Sequence, residues 1–247
     1  MKNKIALITG STSGIGLEIA KQLLTQGVQV VVNYAQNDKQ ANEAKKQLAR
    51  YAKNFIIIKA DVSDEKAVAK MFAEIKSKFG RLDFLVNNAG ANTDDFITKF
   101  NVSDFERVIK VNLTGKFLCT KHAMPLLKQS ATGAIVNISS NLGVRPATEC
   151  SAYCAAAAAI INLTQTTVLE LAGTGIRANT VCPGFTPTPL SLAGWTAAEI
   201  KEKERMNPLR RNATTTDIAN AVLFLLSDKA AFVNGQNLLV NGGSVMK

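Results

Sequence analysis

The chain has 247 residues, 47% of them hydrophobic and 6% aromatic, with a formal net charge of +10. That length suits one domain around a single core, and no stretch reaches the eighteen or so uninterrupted apolar residues of a membrane span. Lysines such as Lys39, Lys45, Lys46, Lys66, Lys70, Lys76 and Lys78 alternate with Glu and Asp as on solvated helix faces; with no basic arm and no helix-turn-helix pattern, nucleic acid is not the expected partner.

A strand-like run begins at Lys4, which leaves no room for a signal peptide, so the protein is expected to be soluble and cytoplasmic. Strands are expected at Ile5–Thr9, Val28–Asn33, Phe55–Ala60, Phe84–Asn87, Ala134–Ser139, Arg177–Val181 and Leu238–Val240. Amphipathic stretches lie between them at Gly14–Gln26, Lys39–Tyr51, Glu65–Phe79, Asp104–Gln129, Ala152–Leu171 and Thr216–Leu226, with Ser103-Asp104 and Thr216-Asp217 as helix starts. This alternation predicts one α/β domain over 1–247, a doubly wound Rossmann-type fold with a seven-stranded parallel sheet flanked by helices. The one long insertion follows Pro183; it predicts a mobile substrate flap at about 187–212, helical near Ala197–Met206. In it, Trp195 and Met206 either line a substrate pocket or merely anchor the flap.

Cys119, Cys150, Cys154 and Cys182 form no CxxC pair, and the single His122 completes no zinc set, so no metal is expected. His122 reads as structural. Cys150 and Cys154 fall near the expected active site, where a reactive thiol is the minor alternative.

After the first strand comes Thr9-Gly10-Ser11-Thr12-Ser13-Gly14-Ile15-Gly16, opening the first helix. Glycines there let the backbone turn tightly and approach a pyrophosphate resting on the helix N-terminus. Its TGxxxGxG spacing, with Asp61-Val62, Asn87-Asn88-Ala89-Gly90, Asn112, Ser140, Tyr153, Pro183-Gly184, Thr188 and the closing Asn241-Gly242-Gly243, resembles the short-chain dehydrogenase/reductase family over essentially the whole chain. The resemblance implies a cofactor site made by Gly10 to Gly16, Asn33, Asp61, Val62, Asn88, Ala89, Gly90, Pro183, Gly184, Thr186 and Thr188. Within it, Asp61 and Val62 would hold the adenine and Thr188 the nicotinamide amide. Taken singly, Asp61 is also a plausible helix cap and Asn87-Asn88 a plain loop.

The resemblance also implies catalysis by Asn112, Ser140 and Tyr153, with a lysine four residues after the tyrosine. An unperturbed phenol has a pKa of about 10, and an ammonium on the same helix face favours its anion. The same lysine would bind the cofactor ribose and extend a proton relay through Asn112. In this chain that position is Ala157. Because Asn112, Ser140 and Tyr153 are all retained, a Lys→Ala replacement in an intact enzyme is favoured over a natural pseudoenzyme, and negligible turnover is expected either way.

Asn33 is neutral where an acidic residue would grip a ribose 2′-hydroxyl, so NADP is expected over NAD, with Lys39 the nearest basic residue downstream. The expected substrate is a small carbonyl or alcohol, with a thioester as one candidate. The chain looks most like 3-oxoacyl-[acyl-carrier-protein] reductases, but Ala131 and Thr174 stand where those carry arginine; a specialised ketoreductase or alcohol dehydrogenase fits equally. Non-redox chemistry in the same pocket is a third reading. The resemblance implies a homotetramer.

Overall fold

The computed structural model describes residues 1–246. Aliphatic runs form seven strands, β1 (Ile5–Ile8), β2 (Gln29–Tyr34), β3 (Phe55–Lys59), β4 (Phe84–Asn87), β5 (Ala134–Ile138), β6 (Arg177–Pro183) and β7 (Asn237–Val240). All neighbours are parallel, in the order β3-β2-β1-β4-β5-β6-β7. The winding therefore reverses between β1 and β4, and at such a switch the crossovers part to leave a crevice at the strand C-termini.

Eight α-helices cover the sheet: α1 (Gly14–Thr25), α2 (Asp38–Gln47), α3 (Glu65–Phe79), α4 (Val102–Ile109), α5 (Gly115–Leu127), α6 (Ser151–Glu170), α7 (Ala197–Met206) and α8 (Thr215–Leu226). Successive strand side chains point to opposite faces, so each strand feeds two cores. Ala6, Ile8, Val30 and Val32 pack against Leu23 and Leu24 of α1 and Val222 of α8. Ile5, Leu7, Val31 and Leu85 pack against Met71 and Ile75 of α3 and Leu126 of α5. Full burial of each of the larger ones, the Val, Leu, Ile and Met side chains, contributes about 1.5–3 kcal/mol.

The structure corrects several expected boundaries. The stretch expected as one helix over Asp104–Gln129 is α4, a π-helical turn (Lys110–Thr114) and α5. The stretch expected over Lys39–Tyr51 ends at Gln47 and finishes in a 3₁₀ turn. Helix starts also shift: α8 is capped by Thr214, which accepts from Asp217 N while the Asp217 carboxylate accepts from Thr214 N. Asn101, not Ser103, precedes α4, and Asp64 caps α3.

Helix α6 has mean hydropathy 1.3 over eighteen residues and would by composition cross a membrane. Here it lies along β6 and α4. A buried polar chain ties it to the sheet: Asn87 Nδ2 donates to Asn137 Oδ1 (2.8 Å), Asn137 Nδ2 to Thr164 Oγ1 (2.8 Å), and Thr180 Oγ1 to the same Thr164 oxygen (2.9 Å). Thr164 Oγ1 itself donates to Ile160 O (2.8 Å), so its donor and both acceptor sites are used.

At the N-terminal end of the central strands β1 and β4, Asp83 is buried and accepts from Ser130 Oγ (2.6 Å), Ile5 N (2.8 Å) and Arg81 Nε (3.2 Å), with Lys4 Nζ at 3.4 Å. Burial pushes its carboxyl up, but these hydrogen bonds and the nearby cations outweigh burial and hold it below the ordinary carboxylate value. A lowered folded-state pKa stabilises the fold above the carboxylate range and loses that contribution as pH falls. Asp83→Asn is expected to lower the unfolding free energy by about 3 kcal/mol near neutrality. Urea unfolding should show the gap between variant and parent narrowing as pH drops towards about 4.

Candidate active site

Two stitches hold the crevice open between β1 and β4. Thr9 Oγ1 accepts from both Asn88 N and Ala89 N (3.0 Å each), and Asn88 Nδ2 donates to Thr9 O (3.0 Å) and Gly10 O (2.9 Å). Gly10 turns at φ +60°, and a Cβ there would stand 2.8 Å from Ala89 Cα. A Cβ on Gly16 would lie 2.5 Å from Asn88 Nδ2 and 2.6 Å from Gly10 O. The glycines thus serve the packing of this loop on its neighbour.

The resulting cleft, about 660 Å³, is lined by Gly10, Thr12, Ser13, Gly14 and Ile15 from the glycine-rich turn and by Asn33, Asp61, Val62, Asn88, Ala89 and Gly90 beyond it. Pro183, Gly184, Thr186 and Thr188 close it from the β6 side, and Asn112, Ser140 and Tyr153 lie at its floor. Three expected site residues are not among the lining. Ser11 is fully buried, donating to Ile8 O (2.7 Å) and accepting from Asn33 N (3.1 Å). Gly16 packs behind the loop, as its blocked Cβ position shows, and Ala157 is buried on α6. The chain segment of helix 157 is nonetheless pinned, because Ser139 Oγ donates to Ala157 O (2.8 Å).

Several side chains have structural duties. Asn33 accepts from Gly10 N (3.2 Å) and donates to Ala60 O (2.9 Å), joining the glycine turn to β3. Asp61 accepts from Ser63 N (2.9 Å) and Ser63 Oγ (2.7 Å). Asn112, in the π turn, brackets Ala91: it accepts from Ala91 N (3.2 Å) and donates to Ala91 O (2.6 Å) and Val108 O (3.0 Å). Lys39 is exposed and lies outside the cleft.

At α1 the N-cap Ser13 makes no side-chain cap and the first turn carries no acid, so the opening N–H groups face the cleft without a side-chain partner. Such a helix end receives an anion. These features fit a dinucleotide.

Burial raises the phenol of Tyr153, with the nearby Cys150, Cys154 and Asp94 acting in the same direction and the Ser140 hydroxyl opposing them. Burial, then Asp94, pushes the Cys150 thiol up to about 12, so it stays protonated and is no nucleophile near neutrality. A second cavity of about 770 Å³ adjoins the first and shares Ser140 and Tyr153. Trp195 and Met206 both line it, and the Trp195 ring also packs with its centroid 4.9 Å from that of Phe185, so Trp195 is at once lining and anchor. His122 stacks on Phe72 at 6.2 Å, away from both cavities.

The residue missed by sequence reading is Lys116, which lines the first cleft and is only 5% exposed. Its signal was a charge one helical turn after Asn112 in an otherwise apolar stretch. Gly16→Ala is expected to cost at least about 1 kcal/mol of stability, since both of its blocking atoms belong to the stitch; a thermal melt of the ligand-free protein checks it.

A family model described as enoyl-(acyl carrier protein) reductase matches residues 10–245. The chain is 39% identical over 244 residues to a 3-oxoacyl-[acyl-carrier-protein] reductase, FabG, of Staphylococcus aureus, covering 98% of each chain. It is 36% identical to a short-chain type dehydrogenase/reductase of Picea abies, covering 98% of this chain and 92% of that one. It is 37% identical to a cis-4-hydroxycyclohexanecarboxylate dehydrogenase of Sinomonas cyclohexanicum, over 97% and 96%. Aligned with such relatives over nearly its whole length, the chain belongs to the short-chain dehydrogenase/reductase family of oxidoreductases.

Proposed function

We propose that this protein is an NADP-linked reductase of ketones, or dehydrogenase of the corresponding secondary alcohols, whose turnover is limited by Ala157. The observation that carries the reading is the convergence of Ser140 and Tyr153 on both cavities, one fitted to a dinucleotide and one to a substrate. The glycine turn and the open N-terminus of α1 would hold the pyrophosphate, Asp61 and Val62 the adenine, and Thr188 the nicotinamide amide. When bound, the nicotinamide supplies or accepts hydride. Ser140 would orient the substrate oxygen, and Tyr153 would give that oxygen its proton. Asn112 would act by positioning, through its clamp on Ala91.

NADP is favoured because the cleft wall at the end of β2 (Tyr34, Ala35, Gln36, Asn37) contains no carboxylate to repel a 2′-phosphate. Asp38, the next residue, has its carboxylate held by Lys59 (2.9 Å) and the Tyr34 hydroxyl (2.8 Å). The relatives' names divide between thioesters and a cyclic alcohol. With Ala131 and Thr174 exposed on the surface in place of arginine, a small ketone or alcohol is as strong a candidate as a carrier-bound thioester. Exposed Val102 on α4, Phe117 on α5 and Leu169 on α6 support assembly as a homotetramer through these helices.

Tyr153 has no cation on its own helix face, and general acid–base assistance contributes about 10²–10⁴-fold. NADPH oxidation, followed by absorbance with β-ketoacyl thioesters and small ketones, should rise at least about 100-fold in Ala157→Lys and vanish when Tyr153→Phe is added. If both forms bind NADPH and neither turns over any member of the panel, the protein is a dinucleotide-binding regulator and the reductase reading fails.

A further inference from the structure

Lys116 lies on α5 one turn after Asn112, and its Nζ donates to Ala89 O at 2.8 Å. An ammonium carries three donors, and no second acceptor and no carboxylate engages this one among the described residues. The other cation lining the cleft, Arg107, is occupied by Thr93 Oγ1 (2.5 Å), Asn92 O (3.4 Å) and Asp104 (3.6 Å). Lys116 is therefore a buried cation with two free donors in the cleft wall. Burial lowers it to about 8, the sign of a charge held without a partner.

We propose that Lys116 is a cofactor-binding residue whose two free N–H groups receive oxygens of the dinucleotide's ribose–phosphate backbone, supplying from α5 a cation that α6 lacks at Ala157. Three placements argue for this ligand over the carbonyl substrate. Its acceptor Ala89 packs directly against Gly10 of the phosphate turn. Lys116 lines the dinucleotide cleft and is absent from the wall of the adjoining cavity with Trp195 and Met206. A ribose–phosphate chain offers several oxygens for a charged donor, whereas a ketone offers one, already met by Ser140 and Tyr153. The role concerns binding and not activation of the phenol: Tyr153 is set by its burial and by the Ser140 hydroxyl, and Lys116 is not among the groups that shift it.

The inference rests on the dinucleotide-binding reading above, and the test separates the two. Dissociation constants for NADPH and NADH are measured on the full chain, on Lys116→Met and on Lys116→Gln, alongside thermal melts without ligand. Lys116→Met is expected to weaken binding about tenfold to a hundredfold, the ordinary worth of hydrogen bonds from a charged donor. Lys116→Gln, which keeps a donor without the charge, is expected to fall between and guards against a Met variant that does not fold. The ligand-free melt of Lys116→Met should hold or rise, since a buried unpaired ammonium costs the empty protein stability. Unchanged affinity in both variants, or a lowered melt with unchanged affinity, would make Lys116 a structural strut to Ala89 and overturn the inference. A parent chain that binds neither nucleotide overturns the dinucleotide reading itself.

Discussion

Everything in the cleft depends on how β1 and β4 are held together at their C-terminal ends. Two parallel strands that send their chains to opposite sides leave unpaired backbone at the point of divergence, and that backbone must be satisfied. Here the Thr9 hydroxyl accepts two backbone N–H groups of the Asn88–Ala89 loop while the Asn88 amide returns two bonds to Thr9 O and Gly10 O. The stitch fixes the glycine turn against the loop, and the absent side chain of Gly16 is the condition for it. The outward carbonyl of Ala89 is then left to Lys116.

A second constraint positions the chemistry. Helix α6 could not place Tyr153 reliably on apolar packing alone, because its inner face around the tyrosine is built of small side chains (Ala152, Cys154, Ala156, Ala157) and a smooth surface specifies rotation weakly. The Asn87–Asn137–Thr164–Thr180 chain supplies the missing register, since every bond in it has a direction. Ser139 Oγ on Ala157 O and the close approach of Gly143 to the Ala157 backbone add a second fixed point, one turn from the tyrosine. The backbone of residue 157 is thus held as an active-site residue would be, although its side chain is a methyl group.

Much of this was legible in the residues. Strand alternation and the glycine spacing located the sheet and the crevice, and the amphipathic pattern bounded Glu65–Phe79 correctly, where the folded chain has Asp64 and Gly80 as its caps. What sequence could not show was competition for backbone groups. The Asp104–Gln129 pattern is helical throughout, and only the folded protein reveals that Asn112 turns aside to Ala91 and opens a π turn in its middle. Ser11 sits in the binding motif but faces inward, because Asn33 N and Ile8 O take its hydroxyl. Lys116 escaped for a related reason: a lone lysine on a helix usually lies in water, and its burial arises from a contact 27 residues away in sequence.

The separation of charge from phenol has a consequence for direction. In a site where one ammonium serves both cofactor and tyrosine, acid and base forms of the phenol are brought closer in energy. Here burial leaves the Tyr153 phenol above its ordinary value, against the opposing pull of the Ser140 hydroxyl. A phenol so placed is almost wholly protonated near neutrality, since even an unshifted one is about 99.9% protonated there. It stands ready to donate to a substrate oxygen gaining charge, whereas accepting a proton from an alcohol first requires the rare anion. If Lys116 holds the dinucleotide as proposed, then with no cation on α6 beside the phenol this placement would favour carbonyl reduction over alcohol oxidation at neutral pH.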